Sequence, residues 1–78
     1  MNFEKYLFNI SINGWSISKY VDNSNDKIEL RVEKGGKIDS AKCFNLEQYE
    51  DFYDKHEDIY NNASALNSAI EEIAGWRL

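Results

Sequence analysis

The stretch AKCFNLEQ, residues 41–48, is where the hydrophobic pattern of the chain changes its period. Before Asn45, apolar residues alternate with polar ones, which is typical of strands with one buried face. After Asn45 they recur every three or four residues, which is typical of amphipathic helices. Asn45 is a good N-cap residue, and Gln48 three positions later completes a capping-box pattern. We therefore predict a sheet up to residue 44 and helices from residue 45.

Turn-forming residues divide the first part of the chain into four predicted strands. Asn13-Gly14 indicates a type I′ hairpin turn, residues 22–26 form a polar loop, and Gly35-Gly36 offers a second tight hairpin. Strands joined by short connections pair antiparallel, so we expect a meander. The alternating apolar residues, which would line the covered face, are Tyr6, Phe8, Ile10, Ile12, Trp15, Ile17, Val21, Ile28, Leu30, Val32, Ile38 and Phe44.

The second face of the sheet is expected to stay in water, because the two helices can cover only one face. The residues that strand parity places on it are Tyr20, Glu29, Arg31, Glu33, Lys37 and Asp39. The single cysteine, Cys43, is predicted to be a semi-buried strand residue. One thiol cannot form an internal disulfide, and a reducing cytoplasm fits this cysteine usage best.

Two short helices are predicted after the sheet. The first carries a stripe that comprises Leu46, Tyr49, Phe52, Tyr53 and Ile59. Asn61-Asn62 indicates a turn, a second helix begins near Ala63 or Ser64, and Gly75 suits the position just past its end. The expected fold is an α+β sandwich of order ββββαα, with a sheet in residues 1–44, helices in 45–74 and a tail in 75–78. The predicted core comprises Ile10, Ile17, Ile28, Leu30, Val32, Phe44, Leu46, Phe52, Leu66, Ile70 and Ile73.

Length and composition restrict the function classes. Seventy-eight residues, 42% of them hydrophobic, hold one small core and leave little room for a deep catalytic cleft. No apolar run is long enough to span a membrane, and the N-terminus lacks the basic region of a signal peptide. We therefore expect a single globular domain that is neither inserted in a membrane nor exported.

The net charge of −5 is concentrated in residues 45–60, which carry six carboxylates and one lysine. Direct binding to nucleic acid is disfavoured, because it depends on neutralising phosphates with basic side chains. A basic protein partner fits better. The acidic helix itself has two interpretations: a mimic of nucleic-acid phosphates that occupies a basic groove, or a solvated face that keeps the protein soluble.

The usual catalytic sets are missing from the sequence. His56, the single histidine, is either a general base or metal ligand beside Glu57 or Asp58, or a partly exposed helical residue. A nucleophile pair of Cys43 and His56 has no supporting pattern around it, and one histidine with one cysteine falls short of a zinc site. Gly35-Gly36 lacks the spacing of a phosphate-binding loop. We expect a protein that is not an enzyme and uses no cofactor and no metal.

The order and spacing of residues across positions 1–73 resemble a family of small phage-encoded anti-CRISPR proteins. The family is that of the first-described inhibitor of the type I-F Csy (Cascade) surveillance complex. The residues that carry the resemblance in the first half are 3–7, Asn13, Ile17, Tyr20, Ile28 and 31–33. Those in the second half are Ala41, Phe44, 47–48, 52–53, Ala69 and 72–73.

The resemblance implies a ββββαα monomer that acts in the cytoplasm of the bacterial host. It would bind the backbone subunits of the guide-RNA complex and stop target DNA from pairing with the guide. The family's interface residues correspond to Tyr6, Tyr20 and Glu33. Parity places Tyr6 on the covered face, so either a β-bulge reverses the first strand or Tyr6 sits at a strand end. The alternative function is an immunity or antitoxin-like protein whose acidic helix plugs a basic site on a toxin or nuclease.

The tail differs from that family. Residues 74–78 are mostly apolar, whereas the family's C-terminus is charged. The tail is expected either to pack on the body of the protein or to contact something else.

Overall fold

The sheet is an antiparallel meander in which the four strands pair in sequence order, and two helices follow it. The computed structural model describes residues 3–7, 10–57, 59 and 61–76. The predicted ββββαα fold is confirmed. The elements are β1 (Phe3–Leu7), β2 (Trp15–Asp22), β3 (Lys27–Lys34), β4 (Lys37–Asn45), α1 (Leu46–Lys55) and α2 (Ala63–Ala74).

The predicted type I′ turn is present at Asn13-Gly14. The backbone N–H of Ile12 donates to the Trp15 carbonyl at 2.8 Å, and the reverse bond has the same length. Asn13 (φ 50°) and Gly14 (φ 84°) are both left-handed, as this turn requires. The first strand is shorter than predicted, because β1 ends at Leu7 and Ile12 forms only an isolated bridge. Phe8 lies outside the described residues.

The change from strand to helix takes place within one residue, Asn45. Asn45 is the last residue of β4, opposite Lys27, and also the N-cap of α1. The Gln48 backbone N–H donates to Asn45 Oδ1 at 2.7 Å, and the Asn45 N–H donates to Gln48 Oε1 at 3.0 Å. The predicted capping box is therefore confirmed. Because no loop intervenes, α1 turns directly back over the sheet.

The second helix also has the predicted boundaries. Asn62 caps it by accepting hydrogen bonds from the backbone N–H groups of Ser64 and Ala65, at 2.9 and 3.2 Å. Gly75 closes it in the left-handed conformation, with φ 84°. Leu66, Ala69 and Ile70 of α2 are buried in the same core as the strands. In the described ranges, neither helix has the length and apolarity to cross a membrane.

The core lies between one face of the sheet and the two helices. Leu46 was predicted to be buried but is 48% exposed, while Ile10 and Ile73 are half-buried. The inward face of α1 runs through Tyr49, Phe52 and His56 and continues to Ile59, so the helix is rotated from the predicted stripe. The buried apolar residues are Ile17, Ile28, Leu30, Val32, Phe44, Phe52, Ile59, Leu66, Ala69 and Ile70.

A bulge in β4 reverses the predicted facing of its first residues. Ser40 lies opposite Val32 and Ile38 lies opposite Glu33, so Asp39 is an extra residue in the strand. Directly opposite residues share a face, so Ile38 joins Glu33 on the open face, the side of the sheet away from the helices, where it is 52% exposed. The prediction that Ile38 belongs to the covered face is wrong.

The same bulge corrects the predicted positions of two polar residues. Asp39 does not join the open face, because its carboxylate accepts a hydrogen bond of 2.9 Å from Trp76 Nε1. Lys37 lies opposite Lys34, whose ammonium stands 5.4 Å from the ring centroid of the core-packed Trp15. Asp39 and Lys37 are therefore both associated with the covered side of the sheet.

The segment after α2 packs on the body of the protein. The Trp76 ring meets the Trp15 ring edge to face, with the centroids 4.7 Å apart. Together with the bond to Asp39, this contact fastens the end of α2 to the hairpin end of the sheet. Of the two expectations for the tail, packing on the body holds for Trp76; residues 77–78 lie outside the described ranges.

His56 joins the two helices. It is only 6% exposed, its ring lies 4.6 Å from the Phe52 ring, and its Nε2 is 3.2 Å from Glu72 Oε1. Lys55 Nζ donates to the same Glu72 oxygen at 2.7 Å. The prediction that His56 is partly exposed is wrong. The acidic side chain that His56 contacts is Glu72. Asp58 lies outside the described residues.

The charge of Glu72 is favoured in the folded protein. Partial burial alone would raise its pKa, but the hydrogen bonds from Lys55 and His56 outweigh this effect and lower the pKa below the usual 4.5. The two helices are thus joined through an ionised carboxylate.

Removing the α1 cap should destabilise the protein. We expect Asn45→Ala to lower the free energy of unfolding by about 1 kcal/mol, because it removes the side-chain oxygen that accepts from the Gln48 backbone N–H. Urea unfolding followed by circular dichroism measures this change. Glu50→Gln, on an exposed position of α1, is the control and should stay within about 0.5 kcal/mol. Equal effects of the two changes would contradict the capping role.

The link between the helices should weaken in acid. At neutral pH, Glu72→Gln should destabilise the protein by about 1 kcal/mol. Because the folded pKa of Glu72 is lowered, its contribution is present above about pH 4.5 and is lost as pH falls through the lowered value. The free energies of unfolding of wild type and variant, measured at a series of pH values, should therefore converge in acid. Glu57→Gln should show no such convergence, and a pH-independent difference for Glu72→Gln would refute the ionised link.

Candidate functional site

The face of the sheet opposite the helices carries an ordered set of polar and aromatic side chains. We call it the open face. Its central rung crosses all four strands through the opposite residues Lys5, Tyr20, Glu29 and Cys43. In the neighbouring rungs, Ser18 lies opposite Arg31 and Ser16 opposite Glu33. Antiparallel register therefore converts residues far apart in sequence into one continuous surface.

Arg31 is the centre of this surface. Its guanidinium carbon lies 3.9 Å from the centroid of the Tyr20 ring, which is close stacking. Its Nε donates to Oε1 of Glu29, two residues away on the same strand. The bond to Glu29 raises the pKa of Arg31, so the guanidinium stays charged. The arginine is thus held between an aromatic ring and a carboxylate.

Tyr20 has a second cation on its other side. Lys5 Nζ lies 5.3 Å from the Tyr20 ring centroid, and the hydrogen bond between the two side chains raises the pKa of Lys5. Tyr20 is half-buried between Lys5 and Arg31. The ring is therefore fixed in place and still faces solvent.

Glu33 is positioned by Ser18, a residue that the sequence pattern does not single out. The Ser18 hydroxyl donates to Glu33 Oε1 at 2.8 Å, and Ser18 is fully buried although it lies on the open face. Strand parity places Ser18 beside Tyr20, but it gives no sign that so small a polar side chain is buried there. The bond orients the Glu33 carboxylate on the strand surface.

A shallow depression of about 500 Å³ lies at one end of the open face. Its lining includes Tyr20, Asp22, Lys27, Glu29, Arg31 and Cys43. The Cys43 thiol is exposed, not semi-buried as predicted, and donates to Glu29 Oε2 at 3.7 Å. Partial desolvation, followed by the nearby Glu29 charge, raises the pKa of this thiol. It is mostly protonated near neutral pH, which is unfavourable for a nucleophile.

Tyr6 lies on the other side of the sheet from Tyr20 and Glu33. It is opposite Lys19, whose ammonium is 4.8 Å from the Tyr6 ring and 5.1 Å from that of Tyr49 on α1. The register of β1 is unbroken from Phe3 to Leu7, so neither a bulge within β1 nor a strand end returns Tyr6 to the open face. Of the three predicted interface residues, the structure places Tyr20 and Glu33 on the same face, two rungs apart.

The acidic side chains of α1 and of Glu57, just beyond its end, point outward. The described carboxylates of this segment are all exposed: Glu47, Glu50, Asp51, Asp54 and Glu57. Within the part of the chain that the structure describes, no group of three or more His, Cys, Asp or Glu side chains is arranged to hold a metal ion.

The contact between Glu29 and Cys43 can be tested by thiol chemistry. Glu29→Gln removes a carboxylate that raises the thiol pKa, so the thiolate fraction near neutral pH should increase. We expect roughly threefold faster alkylation by iodoacetamide, measured by mass spectrometry. Glu33→Gln carries the same charge change two rungs away and should react at the wild-type rate. A slower or unchanged rate in Glu29→Gln would contradict the contact.

No model of a known protein family matches the chain. The curated proteins likewise include no significant match. The functional interpretation depends on the open face, on the charge of the chain and on the resemblance noted in its sequence.

Proposed function

We propose that the chain is an anti-CRISPR protein that binds the backbone subunits of a type I-F guide-RNA surveillance complex and blocks hybridisation of target DNA to the guide. The observation that supports this proposal is the open face. Both helices pack on the opposite side of the sheet, and the open face holds Tyr20, Arg31, Glu29 and Glu33 in a fixed arrangement. The sequence resemblance supplies the identity of the partner.

The open face has the composition of a protein-binding surface. Tyrosine and arginine are, with tryptophan, the residue types enriched among interface hot spots. Tyr20 is already held between Lys5 and Arg31, so it loses little side-chain freedom when a partner binds. Its hydroxyl supplies a polar tip and its ring an apolar contact.

Glu33 provides the charge that a basic partner would recognise. Ser18 occupies one acceptor position of the carboxylate, and an ionised carboxylate has about four. The remaining positions can accept from a lysine of the partner, and such charge-assisted bonds are stronger than neutral ones. Backbone subunits that hold a DNA strand present lysines of this kind.

Inhibition by this route requires no reaction. The bound protein occupies the surface along which the target strand would pair, so it acts in proportion to its amount. The net charge of −5 favours a basic protein surface over nucleic acid itself. In this role the protein is a monomer in the cytoplasm of the bacterial host, and it needs no cofactor or metal.

Tyr6 has a secondary place in the proposed interface. It is 44% exposed, on the covered side of the edge strand β1. A partner on the open face reaches Tyr6 only by extending around the β1 edge. Tyr6 should therefore contribute less to binding than Tyr20 or Glu33.

The proposal is tested by binding variants to purified type I-F surveillance complex. Tyr20→Ala and Glu33→Ala should each weaken binding about thirtyfold or more, the effect of losing a hot spot worth about 2 kcal/mol. Tyr6→Ala should have a smaller effect. Urea unfolding of each variant separates loss of contact from loss of fold. Titration of DNA binding by the complex should show inhibition that saturates at a fixed molar ratio.

Charge-removing changes in α1 and directly after it serve as controls. Asp54→Asn in α1 and Glu57→Gln just beyond its end remove exposed charges and should leave binding unchanged. If these changes abolished binding while Tyr20→Ala and Glu33→Ala preserved it, the acidic helix would be the binding element. The alternative of an antitoxin-like protein that plugs a basic site would then be favoured. If wild type does not bind the complex, the proposed partner is wrong.

A further inference from the structure

We propose that α1 carries a second docking surface, separate from the open face, which receives an arginine side chain of a partner protein. The surface consists of two tyrosines and two carboxylates, Tyr49, Glu50, Tyr53 and Asp54. We call it the tyrosine–acid surface. It does not depend on the proposed function, because it lies on a different element and uses different residues.

The helix period builds this surface. Tyr49 and Tyr53 are four residues apart and lie along one line of α1, with ring centroids separated by 6.4 Å. Glu50 and Asp54 are also four apart and form the adjacent line. The four side chains line a shallow depression of about 440 Å³. Tyr53 is 37% exposed, and both carboxylates are exposed.

The open face shows what such a combination of groups binds. There, the guanidinium of Arg31 stacks on the Tyr20 ring while it donates to Glu29. The tyrosine–acid surface presents the same two kinds of group, an aromatic ring and a carboxylate, towards solvent. A guanidinium lying on the Tyr53 ring could donate to Glu50 or Asp54 in the same manner. The chemistry of the surface is therefore that of an arginine site.

A cation already lies next to this surface. Lys19 Nζ is 5.1 Å from the Tyr49 ring and 4.8 Å from the Tyr6 ring. Within the described residues neither helix packs on β1, so the flank of α1 that carries Tyr49 borders an uncovered part of the sheet. The rings of this region thus attract positive charge, and a partner has room to approach them.

The nearby charges favour a basic partner. The lysine of α1, Lys55, donates to Glu72 of α2 and so is engaged away from Glu50 and Asp54. Asp51 lies on another side of the helix, in a depression that it shares with Lys42 and Lys55. The acidity of the tyrosine–acid surface is therefore not neutralised by the helix itself. A planar guanidinium suits this geometry better than an ammonium, because it can stack and donate at the same time.

The test uses the full chain and two blocked peptides, tetra-arginine and tetra-lysine, in NMR titrations. Tetra-arginine should cause saturable shifts centred on the backbone amides of residues 49–54. It should bind at least about threefold more tightly than tetra-lysine. Tyr53→Leu keeps an apolar side chain but removes the π face, and Asp54→Asn removes one charge. Each should weaken tetra-arginine binding about threefold or more.

Asp51→Asn is the matched control, because it makes the same charge change on the same helix outside the surface. It should retain wild-type affinity for tetra-arginine, as should Tyr20→Ala and Glu33→Ala. Equal losses in Asp51→Asn and Asp54→Asn, equal affinity for the two peptides, or shifts spread over all exposed carboxylates would overturn the proposal. Any of these results would show only general attraction to an acidic protein. Binding of the surveillance complex is measured separately, so the two proposals can fail independently.

Discussion

The architecture depends on the hydrogen bonds of a single residue, Asn45. As the last residue of β4, it keeps the chain in the sheet, and as the N-cap of α1, it begins the helix without a loop. Because no loop separates β4 from α1, the helix folds back over the near side of the sheet. The second helix packs on the same side, where Glu72 links it to Lys55 and His56. One face of the sheet is consequently covered, and the other faces solvent.

The charged side chains of the open face contact one another and neighbouring groups. Arg31 contacts both Tyr20 and Glu29, and Ser18 holds Glu33. Each of these contacts fixes a side chain that would otherwise sample several rotamers, so the surface has a defined shape before any partner arrives. A domain with so small a core has little room for a deep pocket. A rigid, flat surface is therefore the simpler way for it to bind a partner.

Local signals in the sequence were sufficient for the order of the elements and for most of their boundaries, although β1 is shorter than predicted. The Asn13-Gly14 turn, the capping box and Gly75 act through neighbouring residues, and each was predicted correctly. The rotation of α1 and the bulge in β4 were not predictable, because they involve contacts between distant residues. His56 is drawn inward by Glu72, and Asp39 binds Trp76.

Strand parity predicted the correct faces for the residues of β2 and β3 but the wrong faces for the first residues of β4. It placed Tyr20, Glu29, Arg31 and Glu33 together, and it also placed Tyr6 on the covered side. The bulge then exchanged the faces of the first residues of β4, as a single extra residue must. The arginine–tyrosine stack and the burial of Ser18 depend on side-chain packing across strands, which alternation alone does not encode.

The contact between Trp15 and Trp76 gives the protein an internal optical reporter. These are the two tryptophans of the chain, and their rings meet where the end of α2 docks on the hairpin end of the sheet. Tryptophan emission therefore reports on one place in the molecule, the closure of the sandwich. The tyrosines of the two proposed surfaces lie on other parts of the sheet and on α1. Fluorescence at the tryptophan wavelength can thus follow loosening of the fold separately from events at those surfaces.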